Sequence, residues 1–375
     1  MARNGRSLQD LAAEIERRAE AKKDFIAPVT KFDIAVRDDK PVIEVLNGDT
    51  KQFEMNDIAH GQLAEYAGIP LPYYKRMLAA DPGLLATNAN RWLKDKGQDR
   101  RLIRTLDGKA RALLSDKYRP LENEDLAEAV LPVLLDMDLM NISCEITERR
   151  LYIKAVDQSI QRDIPTGKHM GDGGHTIFDT ICPALTVSNS EVGFGMLSVE
   201  SGTLTRACTN LAFFGANMKK RHVGGRAEIS EEVYALLTDD TKKATDRAVW
   251  MQVRDMVRGA FDEARFDAVA LRLGKAAGDR VDPEKVVDVV ERVGKRFSFN
   301  EGERKGILGA LIAGGDLSRY GVHSAVTRFS QEEVVDYDRA TEMERIGGEI
   351  IDLSPSEWRV ISDSKQEIRP LAMAA

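Results

Sequence analysis

Apolar positions recur three and four residues apart at Leu8, Leu11, Ala12 and Ile15, and this spacing predicts an amphipathic helix over 8–23. "KFDIAV" and "PVIEVLNGDTKQFEM" alternate instead, predicting short strands turned at Asn47-Gly48. "NDIAHGQLAEYAGI" returns to helical spacing, with Asn56 or Asp57 as cap, and "IPLPYYKRML" enters a second helix after two prolines. "RLIRTLDGKARALLS" is the clearest hairpin, because Asp107-Gly108 tolerates the positive φ angles of a type I′ turn. "ENEDLAEAVLPVLLDM" reads as a helix kinked at Pro132. "LMNISCEITERRLYIKAV" reads as a second hairpin, and "DIPTGKHMGDGGHTIFDTICP" as a mobile glycine-rich loop.

Three strands are then expected in succession, "ALTVSNS", "FGMLSVE" and "TLTRACT", turned at Gly193 and at Ser201-Gly202. Thr209 or Asn210 would cap a helix, "LAFFGANMKKRH", completing a β-β-β-α unit. Beyond Gly224-Gly225 the pattern is helical over 230–266, 283–295 and 300–313. The expected class is α+β: an antiparallel β-meander and hairpins with packed helices over 1–225, then a mostly helical region over 226–375.

The 375 residues are 43% hydrophobic and 31% charged, which suits a soluble globular chain. No apolar run approaches the ~18 residues that would span a bilayer. The charged N-terminus lacks the apolar stretch of a secretory signal. Cys144, Cys182 and Cys208 are widely spaced and odd in number, which points to reduced thiols in a cytoplasm.

The net charge of −7 is unevenly spread. Residues 331–357 carry nine acids against two arginines, whereas 91–119 carry ten basic residues against four acids. Residues 201–227 contain no Asp or Glu but hold Arg206, Lys219, Lys220, Arg221 and Arg226. An acidic chain can still grip a polyanion through such local fields. In the Asp107-Gly108 hairpin, a two-residue loop would set Arg104 opposite Arg111, a repulsion relieved if the side chains splay into water, if they meet carboxylates from elsewhere in the chain, or if a phosphate lies between them. With Lys109, Lys117 and Arg119, and with Arg100 and Arg101 nearby, these residues form a candidate phosphate surface. Arg206 would lie on the third meander strand, and Lys219, Lys220 and Arg221 would close the following helix. Phe213 and Phe214 read as core.

His169, Asp172, His175, Asp179 and Cys182 are ligand types, but their spacing matches no zinc module. His60 and His323 are isolated and read as structural. Ser188, Ser190 and Glu191 near a turn form no nucleophile elbow or triad, and Cys208 reads as a buried strand thiol. Catalysis thus has no positive signal, and neither cofactor nor metal is expected.

"LIRTLDGKARALLSDKYRPLEN", "VSNSEVGFGMLSVE", "RACTN" and "YGVHSAVTRFSQEEVVDYDRATEMERIGGEI" resemble the phage- and plasmid-borne proteins grouped as domain of unknown function 932. The resemblance runs over about 102–350, and where that family has a glycine after Cys-Thr-Asn this chain has Leu211. It implies a mobile genetic element as the setting. The expected meander and helix are also similar to the core of Rad52-like single-strand annealing proteins, a fold analogy only. The leading expectation is therefore a single-stranded DNA-binding protein of DNA metabolism, with annealing as a further step. Residues 331–357 would meet a neighbour's basic surface in a ring or filament. The rival expectation is a counter-defence or host-takeover protein whose acidic C-terminal part binds a protein partner. A third is a nucleotide or metal enzyme centred on the His169–Cys182 segment.

Overall fold

Three antiparallel sheets organise the chain in a computed structural model, which describes residues 5–47, 49–137, 139–170, 174–215, 218–220 and 238–362. Helix α1 (Leu8–Ala21) is capped by the Ser7 side chain and buries Leu11 and Ile15, as its spacing predicts. Strands β1 (Lys23–Pro28), β2 (Phe32–Arg37), β3 (Lys40–Asn47) and β4 (Asp49–Glu54) follow. Strands β2, β3 and β4 form one three-stranded sheet. Three helices pack beside it, α2 (Asp57–Ala67), α3 (Leu71–Ala80) and α4 (Pro82–Lys94), the first capped by Asn56. Asn90 of α4 accepts from the Ile34 amide at 2.8 Å and donates to the Ile34 carbonyl at 3.0 Å, occupying both backbone groups on the free side of β2.

The second sheet is β1 with the expected hairpin, β5 (Arg100–Leu106) and β6 (Lys109–Ser115). Asp107 and Gly108 both have positive φ, 51° and 77°, as the turn requires. Leu106 pairs with Lys109, but the register then slips so that Arg104 faces Ala112. Arg111 is the extra residue of a bulge, so the two arginines are not directly opposed.

The largest sheet follows α5 (Asn123–Asp136), which contains Pro132. Its strands are β7 (Met140–Ile146), β8 (Leu151–Val156), β9 (Arg162–Met170), β10 (His175–Asn189), β11 (Leu197–Thr205), β12 (Asn210–Phe213) and β13 (Met218–Lys220). The path runs β12-β11-β10-β8-β7, with β9 on β10 and β13 on β11.

Three expectations are corrected here. Most of the supposed glycine-rich loop is strand: Ile164, Thr166, Ile181 and their neighbours build β9 and β10, which pair on either side of 171–173, residues outside those described. Ser201-Gly202 is not a turn: β11 runs straight through it. Gly202 is small because a Cβ there would overlap the Ala212 carbonyl and the Phe213 ring, so this glycine marks a close approach between strands. The expected helix from Asn210 is two short strands, β12 and β13, both paired to β11, so the β-β-β-α unit is absent from the described residues. Cys208 accordingly sits exposed in the turn before β12, while Cys144 and Cys182 are buried.

The C-terminal helices are α6 (Asp239–Gly259), α7 (Glu263–Gly278), α8 (Val286–Arg296), α9 (Glu301–Gly314), α10 (Arg319–Phe329), α11 (Tyr337–Asp352) and α12 (Pro355–Ser362). Helices α6 and α11 lie on opposite faces of the sheet built before them, while α8, α9 and α12 pack with α10 and α11 in a separate apolar core. Val249, Val253 and Val257 of α6 join Ile153, Val187 and Val199 on one face, with Leu11 of α1 and Val130 of α5. Helix α11 covers the other face, where Lys154, Ser188 and Glu200 point. There Lys154 pairs with Glu344 at 2.5 Å and Arg345 with Glu200 at 2.7 Å. Gly348 lets α11 lie against β12, since a Cβ would overlap the Phe213 carbonyl. Phe213 is core as expected, and so are His60 and His323. Among the described residues no helix is long and apolar enough to cross a membrane.

Candidate nucleic-acid interface

One end of the seven-stranded sheet gathers three chain segments. The β7–β8 turn carries Arg149 and Arg150, the β10–β11 loop carries Phe194, and β13 ends at Lys220, which pairs with Leu197. They share an end because Leu151 pairs with Asn189 and Leu197 opens β11.

The β10–β11 loop is held from inside by polar groups. Asn189 donates to the Leu121 carbonyl and to Asn123 Oδ1, at 2.7 and 2.9 Å. Tyr118 donates to the Ser190 carbonyl and Gln62 to the Val192 carbonyl, at 2.9 and 2.8 Å. The Asn123 amide donates to the Glu191 carboxylate at 2.9 Å. The Ser190 hydroxyl donates to the Arg149 carbonyl and accepts from the Phe194 amide, tying the loop to the β7–β8 turn.

Arg104 and Arg111 lie beneath this loop. Arg104 is fully buried and donates to Asp24, to both oxygens of Glu122 and to the Glu191 carbonyl, at 2.8 to 3.0 Å. Arg111 is buried 3.0 Å from the Glu191 carboxylate. The anion between the arginines is thus a carboxylate of the same chain. Arg104 is shut off from solvent and Arg111 is nearly so, and the expectation that they contact phosphate is corrected: their charge is already neutralised inside. Burial and a hydrogen bond with Glu191 raise the Glu122 carboxyl above its ordinary range. Burial acts upward on Glu191 too, but its hydrogen bond to Glu122 and the Arg111 and Arg104 guanidiniums outweigh it and hold that carboxyl low.

Outward, Phe194 is 40% exposed, and the Arg149 guanidinium lies 5.1 Å from its ring centroid. Arg150 donates to the Phe194 carbonyl. The pair sits at a cleft of about 700 Å³ whose far wall is the start of α9 and α11. Most other charges lining the cleft are already matched, and Asp336 caps α11 by accepting from the Arg339 amide. Arg339 is held by Glu303 and Glu342, Arg345 by Glu200, and Asp338 accepts from the Tyr152 hydroxyl. Arg149 has no carboxylate within ion-pair distance among the described residues, so its charge is available to a ligand.

The other expected contacts are scattered. Lys109 is exposed and pairs with Glu54 at 3.3 Å. Lys117 is exposed, and Arg119 pairs with Asp246. Arg206 is exposed beyond Thr205 and donates to Gln161 at 2.9 Å. It therefore lies beyond the far end of β11 from Lys220, roughly 30 Å away at a strand's rise per residue. Lys219 is exposed and Lys220 half-buried on β13, at the same end as Arg149. Arg221 and Arg226 lie outside the described residues. The basic stretch is thus split between two ends of the sheet, and only Lys219 and Lys220 share the end that carries Arg149 and Phe194.

Sequence reasoning missed Arg149, Arg150 and Phe194. Their signal was present: two arginines in a hairpin turn, and an aromatic residue between Gly193 and Gly195. Phe194 was assigned to a strand, whereas β11 begins only at Leu197. The acids of 331–357 are largely engaged within the chain: Asp338, Glu342, Glu344, Asp352 and Glu357 meet Tyr152, Arg339, Lys154, Arg272 and Arg296. Of the candidate metal ligands, Asp179 accepts from Tyr320, Cys182 is buried in apolar core, and Asp172 lies outside the described residues. Among the described residues no three such groups cluster.

Comparison of the chain with protein-family models, with curated proteins and with solved structures found no match.

Proposed function

We propose that the protein binds single-stranded DNA along the sheet end that carries Arg149, Arg150, Phe194, Lys219 and Lys220. The observation that carries the reading is the exposed Phe194 ring beside an Arg149 guanidinium that, among the described residues, no carboxylate neutralises. An exposed aromatic offers an unpaired base a stacking surface, and a free cation beside it offers the adjoining phosphate a partner. Bases in a duplex are already stacked, so this pairing favours single strands. Binding of this kind makes no covalent change and needs no cofactor. The resemblance to phage- and plasmid-borne proteins supplies a setting in which such binding has use, and strand annealing would be a later step. Docking of a protein partner on residues 331–357 has less support, because those acids are largely matched within the chain. So has a ring or filament built on them.

The test is fluorescence anisotropy with labelled single- and double-stranded oligonucleotides across a salt series. The expected result is tighter binding to single strands, weakening steeply as salt rises, because neutralised phosphates release counterions. Phe194→Ala and Arg149→Ala should each weaken it. Absence of binding at low salt would sink the proposal, and undiminished binding by both variants would misplace the site.

A further inference from the structure

We infer that Glu191, Arg104 and Arg111 are positioning residues for the cleft: together they fix the loop that presents Phe194, without touching the ligand. The inference rests on the DNA-binding reading for its consequence, though not for its geometry. Three segments distant in sequence meet at Glu191: the β5–β6 hairpin, the start of α5 and the β10–β11 loop. These belong to two of the stretches that carried the family resemblance, and here they form one polar cluster. Arg104 grips the backbone of Glu191 and Arg111 its carboxylate.

From Glu191 the chain needs only three residues to reach Phe194, and Gly193 and Gly195 flank that ring with φ of 83° and 153°. Glycines that adopt such angles also leave the chain wide freedom. The loop has one buried apolar anchor, Val192, and beside the bonds that Gln62, Ser190 and Arg150 make to Val192 and Phe194, the polar grip on Glu191 fixes the backbone from which Phe194 is presented. The cluster is not arranged for packing alone. The buried Nε and Nη2 of Arg111 have no hydrogen-bond partner among the described residues, Nη2 meeting Glu191 as an ion pair only. A site shaped only for stability would more readily hold apolar side chains there.

The test uses the full chain and Glu191→Gln, which preserves shape and the acceptor for the Asn123 amide while removing the charge beside Arg111. Hydrogen exchange without ligand should speed up at 192–195 by roughly tenfold, with the strands of the large sheet unchanged. Arg111→Met should reproduce this, and Arg111→Lys, which keeps a cation beside Glu191, should largely restore protection. Faster exchange across the whole sheet, or none at the loop, would overturn the inference. In the oligonucleotide assay, Glu191→Gln should weaken binding by roughly tenfold with the salt slope unaltered, because no phosphate contact is lost. A slope reduced as in Arg149→Ala would mean direct contact and would also overturn it. If the unaltered protein binds no oligonucleotide, the exchange experiment alone decides, so the two failures are read separately.

Discussion

Two pairs of arginines, each on a hairpin, have opposite fates. Arg104 and Arg111 of the β5–β6 hairpin are buried against carboxylates, and Arg149 and Arg150 of the β7–β8 turn lie at the surface beside Phe194. What separates them is the supply of acids. Asp24, Glu122 and Glu191 converge on the first pair from elements far apart in sequence, whereas Glu303 and Glu342 at the cleft are already matched to Arg339, and the buried Glu200 to Arg345. A run of basic residues therefore says little about a ligand until the carboxylates that reach it are known.

The sharpest way to break this comparison is Arg104→Ala. Removing one partner of a buried charge cluster should cost about 3–5 kcal/mol, measured by urea denaturation. A loss under about 1 kcal/mol would mean that the cluster is solvated and the two pairs are alike.

Buried titrating groups offer a second contrast. Burial lowers His60 and His323 from 6.5 to about 4. The unfolded chain takes up protons below 6.5 that the folded chain refuses until about 4, so stability falls as pH falls through that window. Each histidine should contribute a loss of about 3 kcal/mol by its lower end. Thermal melts from pH 7 to pH 4 should show a shallower decline for His323→Asn, which keeps a donor for the Gly347 carbonyl; an identical decline would show that His323 does not titrate as a buried group.

The exposed pair should behave in the reverse manner. Phe194→Ala should lower single-strand affinity by about 1–3 kcal/mol, the worth of one stacked base, with little change in melting. Arg149→Ala should reduce the slope of log affinity against log salt by about 0.7, one phosphate contact on a single strand. Lys109→Ala should be the mildest, within about 0.5 kcal/mol in denaturation, since its pair with Glu54 is exposed. A larger effect there would return the β5–β6 hairpin to the list of surfaces that matter.

Much of the fold was legible because its signals were local. Asn56 before an apolar-periodic run, Asp107-Gly108 between alternating runs, and Leu11 with Ile15 all act within a few residues. Errors came where local chemistry has two readings. Gly202 in a strand and glycine in a turn look alike in sequence, and only the nearness of Ala212 and Phe213 distinguishes them. The stretch after Asn210 has residues compatible with helix, but an open edge of β11 takes it as strand. The site was half legible for the same reason. Its cations could be counted, whereas their neutralisation by Glu122 and Glu191 depends on a topology that no short window contains.

The clip of Asn90 on Ile34 has a consequence for how copies of this chain can meet. An unguarded β-strand edge is a template for another molecule's backbone. With both Ile34 backbone groups engaged by one side chain, a foreign strand laid along β2 would have to displace α4 before it could bond there. Asn90 thus guards the β2 edge: strand addition from another molecule is blocked at Ile34 for as long as α4 stays in place.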